Sequence, residues 1–147
     1  MRFRACVVIG DGKGKVGLGL AKGADVSLAI SKAINQAKKH MLTVSIVNGT
    51  IPHEAFSKFH AAKVLLKPAP QGTGVIAGTT VRAVVSLAGV TNIVSKLMGS
   101  SNKVNNAQAT INALQHMRVI LKKHTNAKTT TTPLVAKADT TAPVTHA

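Results

Sequence analysis

Two stretches of this chain carry residue types that hold phosphate in other settings. These are Gly12-Lys13-Gly14-Lys15-Val16-Gly17 and Gly72-Thr73-Gly74-Val75-Ile76-Ala77. The first spells G-x-G-x-x-G, which grips a pyrophosphate only where a strand runs into a helix. Here both flanks are rich in Val, Ile and Leu and read as strands, so the glycines belong to a tight hairpin turn. A P-loop also fails, because Gly10 to Gly14 is one residue short and Val16 stands where Ser or Thr would meet magnesium. Lys13 and Lys15 still suit a nucleic-acid phosphate. The second stretch does lead into a helix. However, Pro68 and Pro70 break its junction with the preceding strand, and no acidic residue follows within the next several tens of residues to hold a ribose. Its backbone amides suit an RNA phosphate or a neighbouring protein instead.

Other chemistry has few candidates. The six histidines (His40, His53, His60, His116, His124 and His146) show no second ligand at metal spacing, so no metal site is expected. His53-Glu54 has the types of an acid–base pair, but a polar strand edge at an RNA or protein contact explains it better. With only 4 Asp and Glu in the chain, general acid–base catalysis lacks groups, and no nucleophile elbow is present. The expectation is that the protein is not an enzyme and takes no cofactor or small-molecule substrate. Cys6, alone in an apolar run, offers neither disulfide nor thiolate cluster and reads as a buried apolar residue.

What the composition does offer is charge. In 147 residues there are 19 Lys and Arg, for a formal net charge of +15 and a pI near 10.8. Residues 1–50 carry +6, residues 51–124 carry +8 and residues 125–147 only +1. The charge therefore sits in the folded part and points to a polyanionic partner. The chain has three Phe and no Trp or Tyr, which argues against binding single strands by base stacking. Phosphate and sugar contacts from Lys and Arg fit better. No apolar run reaches the length of a membrane span, and Met1-Arg2-Phe3-Arg4 lacks signal-peptide organisation, so no membrane partner is expected.

The elements that must hold these residues follow from periodicity and punctuation. Residues 4–9 and Lys15–Leu20 read as the strands of the hairpin. Asp25 caps a helix whose apolar stripe is Val26, Ala29, Ile30, Ala33, Ile34, Ala37 and Met41. A third strand is expected over Leu42–Val47, ended by Asn48-Gly49. Candidate strands follow at Ile51–Phe59 and Ala62–Leu66. A helix over Thr79–Ala88 has Val81, Val84, Val85 and Ala88 inward and Gly89 as its C-cap. A strand at Asn92–Leu97 and a last helix from Asn105 to Lys123, with Ala107, Ile111, Leu114 and Leu121 on one side, complete the fold. From Thr125 the composition turns to Thr, Ala, Pro and Val and reads as a disordered tail.

Many short motifs in one order carry a family resemblance. They include Val7-Val8-Ile9-Gly10-Asp11-Gly12, Val16-Gly17-Leu18-Gly19, Thr50-Ile51-Pro52-His53-Glu54, Val64-Leu65-Leu66-Lys67-Pro68-Ala69, Gly72-Thr73-Gly74-Val75-Ile76-Ala77-Gly78 and Ala109-Thr110-Ile111. Over residues 2–121 the chain resembles the bacterial-type small-subunit ribosomal protein five (uS5) family. The resemblance implies an α+β fold of two small α/β layers. Residues 1–48 would form an incomplete double-stranded-RNA-binding-like unit. Residues 49–124 would form a β-α-β-α second domain, and residues 125–147 a disordered tail. It implies a structural constituent of the small subunit, in a bacterial cytoplasmic or organellar ribosome. That protein binds ribosomal RNA, touches small-subunit proteins four and eight and contributes to translational accuracy. The residues assigned to RNA are Arg2, Arg4, Lys13, Lys15, Lys22, Lys38 and Lys39. A protein-contact loop would use Gly72, Gly74, Gly78 and Arg82. The family's usual N-terminal strand and Gly-Gly-Arg-Arg loop are expected to be missing before Arg2.

Overall fold

A computed structural model of the chain describes residues 1–117. Two antiparallel strands, β1 (Phe3–Gly10) and β2 (Lys15–Gly23), pair from Phe3↔Gly23 to Gly10↔Val16, as the Val- and Leu-rich flanks of the turn predict. Helix α1 (Val26–Lys39) starts at Asp25, whose carboxylate accepts from the Val26 amide at 2.7 Å. Strand β3 (Met41–Thr43) closes a three-stranded sheet in the order β1-β2-β3. It is shorter than the expected Leu42–Val47. Val47 and Thr50 exchange backbone hydrogen bonds around Asn48 and Gly49, both at positive φ (50° and 76°). This two-residue turn is the kind that Asn-Gly favours, and it takes the chain out of the sheet.

Helix α1 does not bury its expected stripe. Ala29, Ala33 and Ala37 are fully buried, while Val26, Ile30 and Met41 are exposed. The cause lies in β2. A Cβ on Gly19 would overlap the Ala33 carbonyl oxygen, and one on Gly17 would sit 2.5 Å from that of Ala37. The helix lies so close to a glycine-lined strand that only alanine fits between them. Ile30 follows Ala29 by one residue and is turned about 100° away.

The second sheet has the order β4-β5-β7-β6. Strands β4 (Ala55–Phe59), β5 (Ala62–Pro68) and β7 (Ile93–Met98) are antiparallel neighbours. A two-residue strand β6 (Val75–Ile76), not expected from the sequence, pairs parallel with β7. Strand β4 begins at Ala55 rather than Ile51. Ile51 is buried in the core instead, outside any strand. Helix α2 (Thr79–Ala88) crosses from β6 to β7, with Val81, Val84, Val85 and Ala88 buried and Gly89 in the left-handed region as C-cap, as expected. Helix α3 (Lys103–Gln115) is capped by Asn102, and Ala107, Ile111 and Leu114 are buried on its inner face. It ends at Gln115, short of Lys123. Leu121 and the tail from Thr125 lie outside the described residues.

The core between α2, α3 and the second sheet includes Val64, Leu66, Val84, Val85, Ile93 and Leu114. Val16 and Val44, from the N-terminal part of the chain, belong to the same cluster, and Val8 and Leu18 pack against it. One apolar core thus runs through both sheets' neighbourhoods.

Candidate nucleic-acid interface

The hairpin tip is built by Asp11. Its Oδ1 accepts from the Lys13 amide at 2.8 Å and from the Lys15 amide at 2.9 Å, while its own amide donates to the Lys15 carbonyl at 3.1 Å. Those two amides hold the Asp11 carboxyl below the usual carboxylate range. The remaining amides face α2. Gly12 donates to the Leu87 carbonyl at 2.9 Å and Gly14 to that of Ala88 at 2.8 Å. They satisfy carbonyls that the end of a helix leaves without partners. Every amide from Asp11 to Lys15 therefore has an intramolecular acceptor. The loop is no phosphate cradle, and its glycines permit close approach to α2 rather than to a ligand. A Cβ on Gly10 would overlap the Leu87 carbonyl oxygen, and one on Gly89 that of Gly12. Lys13 and Lys15 keep exposed side chains at this end of the sheet.

The second glycine loop is closed in the same way, around a residue that sequence reasoning missed. Asn92 is 8% exposed, and its Oδ1 accepts from the amides of Gly72 (3.2 Å) and Gly74 (3.1 Å). The Thr73 amide donates to the Pro70 carbonyl at 3.3 Å. The amides of Thr91 and Asn92 both donate to the Gly49 carbonyl, and the Ala69 amide donates to Thr50 Oγ1. The two loops flanking β4 and β5 are thus tied to one buried polar hub. Arg82 reaches back from the first turn of α2 to donate to the Val75 carbonyl at 2.8 Å, and Gly78 is the N-cap of α2. Gly72, Gly74, Gly78 and Arg82 share one region, but the amides of Gly72, Thr73 and Gly74 are engaged within the chain. A buried Asn with two loop glycines at positive φ was the available signal.

The basic side chains fall into two groups. Alternation along β1 and β2 puts Gly17, Gly19 and Gly23 against α1 and Arg4, Cys6 and Lys22 on the opposite face, with Arg2 continuing that row. Near the hairpin tip the same face is covered, because Val8, Val16 and Leu18 pack into the core. At the far end it is open. Arg2 and Lys22 line a shallow depression of about 220 Å³ there with Gly23, Ala24 and Lys32. Lys32 was placed only off the apolar stripe of α1, and the fold adds it to the group. Cys6 is exposed on this face, not buried as expected. The sulfur is still partly surrounded, which pushes its pKa up, with Arg4 pulling it the other way.

Lys38 and Lys39 occupy the last turn of α1, where a positive charge also complements the helix dipole. Lys39 borders a cavity of about 470 Å³, which lies between the end of α1 and α3 and carries Gln36, His40, Gln108 and Gln115. No carboxylate lines it. Among the described residues no group of three or more His, Cys, Asp or Glu could hold a metal, and no helix is long and apolar enough to cross a membrane.

Among the described residues the acidic side chains are all engaged locally. Asp11 holds the hairpin, Asp25 caps α1 and accepts from Ser27 Oγ, and Glu54 stands 3.8 Å from Lys67 rather than with His53. Residues 1–117 hold 14 Lys and Arg against these 3 carboxylates. Such an arrangement attracts phosphates and has little means of acid–base chemistry.

Comparison with known proteins follows the same lines. The family profile described as "Ribosomal protein S5, N-terminal domain" matches residues 1–45, and "Ribosomal protein S5, C-terminal domain" matches residues 57–127. The chain is 53% identical to the small ribosomal subunit protein uS5 of Thermotoga neapolitana over 117 residues, which is 80% of this chain and 66% of that protein. It is 52% identical, over the same shares, to the uS5 of Thermotoga maritima. The chain thus spans about 66% of the length of these curated relatives.

Proposed function

This chain belongs to the ribosomal protein S5 (uS5) family, and from that premise we propose that it is a structural constituent of the small ribosomal subunit that binds ribosomal RNA. The observation that carries the reading is the imbalance of charge at the surface. All three carboxylates of residues 1–117 serve a turn, a helix cap or one lysine, which leaves Arg2, Arg4, Lys22 and Lys32 on one open end of the first sheet with no acidic partner among the described residues within salt-bridge distance.

Binding proceeds by phosphate contact and counterion release, not by amide cradles, because the glycine-loop amides are engaged internally. Shape comes from the rigid mounting of the side chains. Sheet, hairpin tip and α2 are locked together through Gly12 and Gly14, so the cations keep a fixed spacing. Lys13, Lys15, Lys38 and Lys39 extend the basic surface toward the hairpin tip and the end of α1. Duplex RNA, with its regular phosphate rows, suits such a rigid display.

Finer roles belong to the same proposal. The chain divides at residues 48 and 49 into an RNA-binding unit and a second domain. The region of Gly72, Gly74, Gly78 and Arg82 meets small-subunit protein four, protein eight is a further neighbour, and the protein contributes to decoding accuracy in a bacterial-type cytoplasmic ribosome. Sucrose-gradient fractionation of cells expressing the tagged chain tests the main claim. Co-sedimentation with small subunits is expected, and a chain confined to the top of the gradient would contradict it. Cross-linking within isolated subunits tests the neighbours, with links from Arg82 to protein four expected.

A further inference from the structure

The outer face of the second sheet takes no part in the contacts proposed so far. Pairing fixes its composition. Ala62, Val64 and Leu66 of β5 point into the core, so Lys63, Leu65 and Lys67 point out. Across the sheet, Phe56 of β4 pairs with Leu65, and Leu65 with Lys96 of β7. One step along, Lys58 pairs with Lys63 and Lys63 with Met98; in the other direction, Lys67 pairs with Val94 and Val94 with Ile76. Apolar and cationic side chains are thus mixed in each of three rows. Phe56 is 58% exposed and Ile76 54%, large apolar groups left in water next to four lysines. A shallow depression of about 260 Å³ runs between Leu65, Lys67, Val94 and Lys96. Among the described residues the one acidic group nearby, Glu54, reaches only Lys67.

We propose that this face is a second nucleic-acid surface of the chain and takes a single-stranded RNA segment, with a base stacked on Phe56 and its flanking phosphates on Lys58, Lys63 and Lys96. Only the choice of RNA as the polyanion rests on the proposed function. The spacing supports a single strand. Side chains two residues apart on a strand are about 7 Å apart, near the reach between successive phosphates of an extended strand, and neighbouring strands are about 4.8 Å apart. A basic track with an aromatic ring beside it is how sequence-tolerant single-strand binders work. Lysines are depleted from the centres of protein–protein interfaces, so four of them interleaved with the apolar groups disfavour a protein partner. The scarcity of aromatics argued against stacking, yet the fold presents one of the three Phe on a lysine-rich sheet face.

The full chain contains no Trp, so Phe56→Trp installs a single fluorescent reporter at the proposed stack. Titration with a short single-stranded oligouridylate should quench it saturably, and an RNA duplex of equal length should quench it less. Phe56→Ala should weaken oligouridylate binding about 5- to 150-fold. Lys63→Gln with Lys96→Gln should lower the salt slope by about 1.4, at unchanged circular dichroism. The triple variant Arg2→Ala, Arg4→Ala, Lys22→Ala serves as the control for the first sheet, assayed on small-subunit ribosomal RNA. Suppose that triple variant loses ribosomal RNA, while the indole emission of Phe56→Trp is not quenched and Phe56→Ala binds as the parent does. This inference then falls alone. If neither set changes any RNA affinity, the proposed function falls with it.

Discussion

At the hairpin tip the exposed Asp11 carboxylate holds two backbone amides, and the fold depresses its pKa. A depressed folded value means that the stabilisation is complete above the unfolded pKa of about 3.9 and is lost as pH falls through the lower folded value. An NMR titration of the Asp11 carboxyl should show a midpoint below that of a model peptide, with the amide shifts of Lys13 and Lys15 moving at the same pH. A midpoint at or above the peptide value would remove Asp11 from this role. Asn92 carries more weight because it is buried. Asn92→Ala leaves the Gly72 and Gly74 amides without their acceptor and should destabilise the fold by about 2–4 kcal/mol in urea unfolding. A change under about 0.5 kcal/mol, the range of a neutral surface substitution, would show that the loops hold themselves.

The elements explain what could and could not be read in the residues. Both strands of the hairpin, the Asp25 cap and the inward face of α2 were legible, because period-2 and period-3.6 patterns and cap residues act within a few positions of one another. The buried face of α1 was not. The larger apolar residues Val26 and Ile30 outrank alanine in any local pattern, and only contact with Gly17, Gly19 and Gly23 selects Ala29, Ala33 and Ala37. The shared basic face of Arg2, Arg4 and Lys22 followed from alternation, whereas Lys32, on the helix that covers the other face, meets Arg2 and Lys22 only at the end of the sheet. The second glycine loop looked ready for phosphate because its acceptor, Asn92, lies 18–20 residues along the chain. Two substitutions separate these glycine roles. Gly19→Ala should cost well over ~2 kcal/mol or prevent folding, because the helix must move off the sheet. Gly12→Ala meets no atom within 4 Å and should cost only the roughly 1–2 kcal/mol of its left-handed backbone. Equal melting temperatures for the two variants would contradict the close helix–sheet contact.

For the whole molecule the decisive property is a shared rigid frame bearing unpaired positive charge. The hairpin tip caps α2, the core joins Val16 and Val44 to Leu66 and Ile93, and carboxylates are too few to neutralise the surface. A polycation of this kind gains stability when a polyanion binds the folded form. Its melting temperature should rise on adding small-subunit ribosomal RNA at low salt, and that gain should shrink as salt is raised. The most direct test is the salt dependence of affinity for that RNA. The account predicts a steep linear fall of log K with log salt, and a slope smaller in magnitude by about 2–3 when Arg2, Arg4 and Lys22 are replaced by alanine. A shallow slope in the parent chain, or one that the triple replacement leaves unchanged, would contradict it.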